Sequence, residues 1–347
     1  MKKITITLFT LTLLLFLGIS ANAQSDVGVS KVGTTAAQFL KFGAGARAIS
    51  MGGAYTAVSD DIYASYYNPA GVALVNGSGE VAFNHAEWLA DITYDYAAGS
   101  INLEGLGSMF ITLSTMQVPK EKVRTNDFPE GDGRYWDATS LSIGLGFSRR
   151  LTDRFSIGLQ AKFIQESIWN TSATGFALDI GTYYVTPFND LVIGASVTNF
   201  GSKMQLDGRD IQVNLDPNDD PDTGPNNVPG QYKMDNHELP LTFRVGLSMK
   251  VLETRYMSVK CALDAVHPND NDEYINAGTE FGFMDMFFLR GGFQKILWDA
   301  ENGENGLTFG AGISYQMDSG MNIKFNYAYA DYGDLEEIHF LDIALGF

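Results

Sequence analysis

From about residue 80 to the C-terminus, apolar and polar positions alternate in runs of about ten residues separated by turn residues. Side chains alternate across a strand, so a period of two predicts strands with one greasy and one polar face. Fourteen strands are predicted: 80–87, 92–103, 106–117, 138–150, 154–166, 173–185, 190–200, 240–252, 255–266, 273–283, 286–297, 306–317, 320–331 and 337–347. In 320–331, Met321, Ile323, Phe325, Tyr327 and Tyr329 oppose Asn322, Lys324, Asn326 and Ala328. In 240–252, Leu241, Phe243, Val245, Leu247, Met249 and Val251 oppose Thr242, Arg244, Gly246, Ser248 and Lys250. The last run puts Leu341, Ile343, Leu345 and Phe347 on one face and Phe340, Asp342, Ala344 and Gly346 on the other. A soluble sandwich would carry charge on its polar faces, but these are rich in Gly, Ser, Thr and Ala, which suits a narrow lumen.

The connections support the same architecture. Short predicted turns (104–105, 151–153, 186–189, 253–254, 284–285, 318–319) alternate in strict order with longer loops (118–137, 167–172, 201–239, 267–272, 298–305, 332–336). Outer-membrane barrels have short periplasmic turns and longer outer loops. The expected fold is therefore an all-β, transmembrane antiparallel barrel of about 14 strands. Both barrel ends of the chain would face the periplasm, and outer-membrane lipid would surround the wall. A C-terminal aromatic strand is commonly recognised by barrel insertion machinery, so Phe347 is a candidate insertion signal.

The N-terminus reads differently. Lys2 and Lys3, the apolar run Ile4 to Ile19 and Ala21-Asn22-Ala23 form a cleavable export signal, predicted as residues 1–23. Residues 24–76 are irregular and small, and are expected to form a hatch inside the barrel of residues 77–347. Without Lys2 and Lys3, 21 of the 23 basic residues remain against 41 acidic ones. That acidic excess opposes binding to nucleic acid. One cysteine, Cys261, excludes an internal disulfide and reads as a packing thiol.

Candidate chemistry is sparse. Gly43-Ala-Gly45 lacks the third glycine of a dinucleotide fingerprint, and no Gly-Lys-Ser/Thr follows it. Asp216, Asn218, Asp220 and Asp222 cluster, but Pro221 stands where a calcium loop needs Gly, so a solvated outer loop is favoured. The four histidines show no spaced catalytic or metal motif. No enzyme activity, metal or cofactor is expected. Inward positions Gln160, Lys162, Arg244, Lys260, Asp264, Asn322, Lys324 and Asn326 are expected to form a paired polar lining.

Phe39 to Gly53, Ser59 to Asp61 and Asn68 to Gly71 resemble the N-terminal signature of the PorV/PorQ family, within the FadL-like outer-membrane barrels. The resemblance covers essentially the whole mature chain and implies fourteen strands with a luminal hatch. The hatch residues matching the signature are Phe39, Gly43, Gly45, Arg47, Met51, Gly52, Gly53, Asp60, Asp61, Asn68, Pro69, Ala70 and Gly71. It further implies an outer-membrane role in type IX protein secretion in Bacteroidetes-like bacteria, with cargo signal domains and translocon or attachment-complex subunits as partners. The PorV branch usually follows its Asn-Pro-Ala with Lys, whereas Gly71 stands here, which suits a paralogue with a different cargo or partner. The alternative is FadL-like transport of small hydrophobic molecules. The polar lining is a poor environment for a fatty-acid tail.

Overall fold

All fourteen alternating runs form strands, and these close on themselves. The computed structural model describes residues 31–215, 228–296, 306–318, 320–333 and 337–347; the predicted export signal and the acidic run Asp216 to Asp222 lie outside these residues. The strands are β1 (Gly79–Glu87), β2 (Thr93–Leu103), β3 (Gly107–Lys122), β4 (Tyr135–Thr152), β5 (Phe155–Ile168), β6 (Thr171–Val185) and β7 (Val192–Gly201). They continue as β8 (Thr242–Glu253), β9 (Met257–Pro268), β10 (Tyr274–Phe283), β11 (Phe287–Ile296), β12 (Gly306–Gln316), β13 (Asn322–Asp331) and β14 (Glu337–Gly346). Each pairs antiparallel with the next, β7 with β8 across the longest loop, and β1 with β14 in the register Val81↔Leu345 and Phe83↔Ile343. Closure leaves no row of unpaired backbone groups, which a structure in lipid requires.

The two faces separate as the alternation demands. Leu145, Phe176 and Leu289 are 59%, 65% and 63% exposed on the outer surface, a band of apolar side chains that fits hydrocarbon. In β14, Leu341 and Ile343 point out while Phe340, Asp342 and Ala344 are buried against the lumen. Cys261 is half-buried, its thiol 3.8 Å from Thr279 Oγ1 of the neighbouring strand.

The alternation of turn lengths is looser than the predicted strict order. The β5–β6 ladder runs on to Ile168↔Thr171, so only Trp169 and Asn170 make a turn where a longer loop was expected. Trp169 takes a positive φ of 51°, which allows the tight reversal. At the opposite end, residues 186–191 join β6 to β7 with a longer link than the predicted 186–189. The β3–β4 ladder likewise continues to Lys122↔Tyr135 and shortens the loop between them. Period-two patterning gives no stop signal where polar residues continue a ladder beyond the apolar band. The longest connection, 202–241, carries its own ribbon of Gln212–Leu215 paired with Val228–Gln231.

The chain's last residue ties the barrel end to the segment entering β1. Phe347 O accepts from Ser78 N at 2.6 Å and Gly79 N at 3.1 Å, while Phe347 N donates to Gly79 O at 3.0 Å. Deleting Phe347 is expected to lower outer-membrane levels severalfold and to lower the melting temperature of assembled barrel only slightly. Membrane fractionation and thermal unfolding of the inserted fraction check this. Unchanged outer-membrane levels would contradict an insertion role.

Candidate functional site in the lumen

The segment from Val32 to Ser78 threads the barrel from the end bearing the long loops to the end bearing Phe347. Its regular pieces are brief: 3-10 turns Gln38–Lys41 and Pro69–Leu74, and helices Ala46–Ser50 and Ala64–Tyr67. Helices this short do not persist alone in water, so the wall must hold them. Helix Ala46–Ser50 packs on β11 to β14, and turn Pro69–Leu74 packs on β3 to β6. Small side chains make this close approach possible: Ala44, Ala46, Ala48, Ala54, Ala57 and Ala70 are wholly buried. The wall answers with glycines. A Cβ at Gly158 would strike the Pro69–Ala70 peptide, one at Gly194 the Thr56 carbonyl, and one at Gly278 the Met51 carbonyl.

At the loop end, Thr35 bridges to Glu238 and Ala36 N donates to Glu238 O at 2.9 Å. Ala37 N donates to Glu166 Oε2 at 3.0 Å. The main anchor is Asp270, in the loop after β9. It accepts from Thr35 Oγ1 at 2.7 Å, Gln38 Nε2 at 2.9 Å and Lys41 Nζ at 2.9 Å. Burial alone would raise the Asp270 pKa, but the hydrogen bonds from Lys41, Gln38 and Thr35 outweigh it and hold the carboxyl below its usual range. A depressed carboxylate contributes stability that is present above its unfolded pKa and lost as pH falls through the folded value. Amide protection at 35–42 should therefore hold from neutral pH down to about 4, the ordinary aspartate value, and fall below it. Asp270→Asn should lack that acid step; hydrogen exchange across pH checks both.

Arg47 is the hub of the interior. Its Nε and Nη2 reach Glu280 Oε2 and Oε1 of β10, each at 2.8 Å, in a forked pair. Its Nη1 reaches Asp60 Oδ1 at 2.5 Å and Asp61 Oδ2 at 3.2 Å, and its guanidinium lies 5.6 Å from the Tyr55 ring centroid. Lys260 of β9 holds Asp60 from the wall side at 2.9 Å. Glu280 also accepts from Arg290 Nε at 2.7 Å, and Arg290 Nη1 donates to Asn326 Oδ1 at 2.8 Å. Asn326 in turn donates to Asp342 Oδ1 at 2.7 Å, whose other oxygen accepts from Ala46 N at 2.6 Å. One network thus joins five wall strands to two parts of the hatch.

Asn68 forms a second fastening. Its Nδ2 donates to Thr56 O at 2.8 Å and to Thr182 O of β6 at 2.9 Å, while its Oδ1 accepts from Ala70 N at 3.2 Å. Pro69 at the first position of the 3-10 turn has no amide hydrogen to leave unpaired. Gly71 packs where a Cβ would meet Ser59 and Ala64, so a lysine cannot enter this backbone position unless the hatch moves. Phe39 and Met51 are buried in the hatch core. Gly43, Gly45, Gly52 and Gly53 turn the chain between its helices; at Gly45 both a φ of 83° and the Tyr63 ring exclude a side chain.

The remaining lining residues each make at least one hydrogen bond or ion pair. Lys162 contacts Asp179 at 2.8 Å and Asn199 Oδ1 at 2.5 Å, and Lys324 contacts Glu80 at 3.2 Å. Asp264 Oδ2 accepts from Tyr55 N at 3.0 Å and Thr56 N at 2.9 Å. Arg244 is buried and donates to Thr198 Oγ1 at 2.9 Å. Sequence reasoning selected most of the strand cations but missed Arg290, and it missed most of the carboxylates: Glu80, Asp179, Asp270, Glu280 and Asp342. A charged residue at an inward strand position was the available signal for all of these but Asp270, which lies in a loop. Among the described residues the lumen holds a cavity of about 280 Å³ at the loop end and one of about 330 Å³ at the other, the latter lined by the Arg47 and Lys324 networks.

A closed fourteen-stranded wall with an apolar outer face, around an N-terminal hatch fastened by ion pairs, defines an outer-membrane-type β-barrel. The same fold occurs in the monoaromatic hydrocarbon channel CymD (TM-score 0.55, 11% identity, covering 87% of this chain and 96% of that one). It occurs also in the toluene transporters TodX of Pseudomonas putida (0.54, 13%, 87% and 97%) and TbuX of Ralstonia pickettii (0.52, 13%, 87% and 97%). No curated protein matches in sequence. The family model described as type IX secretion system protein PorV matches residues 24–220, more than half of the chain, and the chain belongs to that family. It is an outer-membrane β-barrel of the type IX secretion system, which is found in Bacteroidetes.

Proposed function

We propose that this barrel is a noncatalytic binding component of type IX secretion, holding cargo signal domains or translocon and attachment-complex subunits at its loop end. The observation that carries this reading is the fastening of the hatch along the length of the lumen, from Asp270 at the loop end to Phe347 at the other. A lumen stopped in this way leaves the rim as the working surface. There the β3–β4 hairpin and the described parts of the 202–241 connection carry the candidate contacts. The domain division that accompanies this reading is an export signal at 1–23, a hatch at 24–76 and a barrel at 77–347, with the loop end outward. Transport of small hydrophobic molecules draws less support, because the lining is ionic and apolar tails gain nothing there.

The test is affinity capture of tagged full-length protein from detergent-extracted outer membranes. Secretion-system subunits or cargo signal domains are expected in the captured material. Recovery of the barrel alone would sink the secretion-binding role.

A further inference from the structure

Among the lumen's cations, Arg244 stands apart. Arg47, Arg290, Lys41, Lys162, Lys260 and Lys324 each face a carboxylate within 3.2 Å or less. Arg244 is 8% exposed, makes one hydrogen bond, to Thr198, and has no ion pair among the described residues. The buried Asp264 carboxylate acts on Arg244 only across more than 4 Å, its Oδ2 being held by Tyr55 N and Thr56 N. A buried guanidinium in contact with no anion is costly, so its remaining donors call for one. Arg244 lines the loop-end cavity of about 280 Å³.

The lining narrows the chemistry. Phe42 stacks on Trp88 with ring centroids 4.2 Å apart, giving an aromatic wall near the mouth. Asn271, Asn276 and Gln294 line another part, and none of their amide NH2 groups donates a hydrogen bond among the described residues. Carboxamide donors match peptide carbonyls; they give a hydrocarbon acid nothing. The volume falls just below the roughly 300 Å³ at which pockets begin to enclose whole drug-sized ligands, so a chain would enter end-on. We propose that this cavity receives the chain-terminal carboxylate of a peptide, with Arg244 as its counter-ion, the carboxamides pairing with the last peptide groups and Phe42–Trp88 covering a terminal side chain.

This assignment rests on the secretion-binding reading and specifies where a partner's C-terminus would be held. The test uses full-length protein in detergent micelles and a fluorescein-labelled hexapeptide, Gly-Ser-Gly-Ser-Ala-Phe, as free acid and as C-terminal amide. The free acid is expected to bind at least about tenfold more tightly, equivalent to about 1.4 kcal/mol, by fluorescence polarisation. Arg244→Gln should erase the acid–amide difference, and Arg244→Lys should restore part of it. The acid–amide comparison on the unaltered protein needs no variant to fold. Equal binding of acid and amide, or no binding of either at millimolar concentration, overturns the assignment. Displacement of the peptide by an equal concentration of benzoate also overturns it, in favour of a free small carboxylate. Partner capture from outer membranes that persists when acid and amide bind equally would leave the rim-binding role standing and remove the pocket alone.

Discussion

Arg47→Ala is expected to release the middle of the hatch and lower the stability of the full-length protein by about 3–5 kcal/mol, the range for removing one partner of a buried ion pair. The substitution takes one of two cations from Glu280 and from Asp60, and from Asp61 the only cation it faces among the described residues. Arg290 still faces Glu280 at 2.7 Å and Lys260 still faces Asp60 at 2.9 Å, so the wall keeps its own pairs while losing its link to the hatch. The barrel ladder makes no hydrogen bond to Arg47, so strand content should persist. Limited proteolysis should open new sites between 43 and 62, and bilayer recordings should show conductance absent from the unaltered protein. Arg47→Lys should fall between the two, because an ammonium cannot fork onto both oxygens of Glu280. A variant with unchanged melting and unchanged hatch protection would show that packing alone seats the hatch.

The second large effect is expected at Gly158. A Cβ there meets Pro69 C, Pro69 O and Ala70 N, all backbone atoms in a turn already fastened by Asn68. Gly158→Val should cost about 1–3 kcal/mol or more, as overpacking does where no side chain can yield. Hydrogen exchange should rise across 66–75 and stay unchanged at the loop-end anchor near Asp270. Gly99→Ala is the matched control. Its new Cβ would find only Val81 Cγ1 at 3.4 Å, so it should shift stability by no more than about 0.5 kcal/mol. Equal behaviour of the two variants would refute close backbone contact as the role of Gly158.

Much of the architecture was legible in the chain. The wall follows from the period of two, since an apolar residue on alternate positions can satisfy lipid on one face only. The hatch was legible as a plug because a segment as rich in Gly and Ala as Phe42 to Gly53 builds no core of its own. The polar character of the lining, including Lys162, Arg244, Lys260, Asp264 and Lys324, was legible from the face opposite the greasy one. The turn at Trp169 was not legible, because Ser167 to Thr171 carry no apolar alternation and their pairing depends on the ladder already formed below them.

The chain by itself determined which residues face lipid and which face the lumen, because alternation across a strand is local. Only the tertiary structure decided which luminal charges meet. Arg47 and Glu280 lie 233 residues apart, and Ala46 and Asp342 lie 296 apart. Their meeting depends on the closing register of β1 on β14 and on the path of the hatch across the lumen. The same closure left Arg244 with no ion pair among the described residues, a fact about neighbours from several strands that no local pattern encodes.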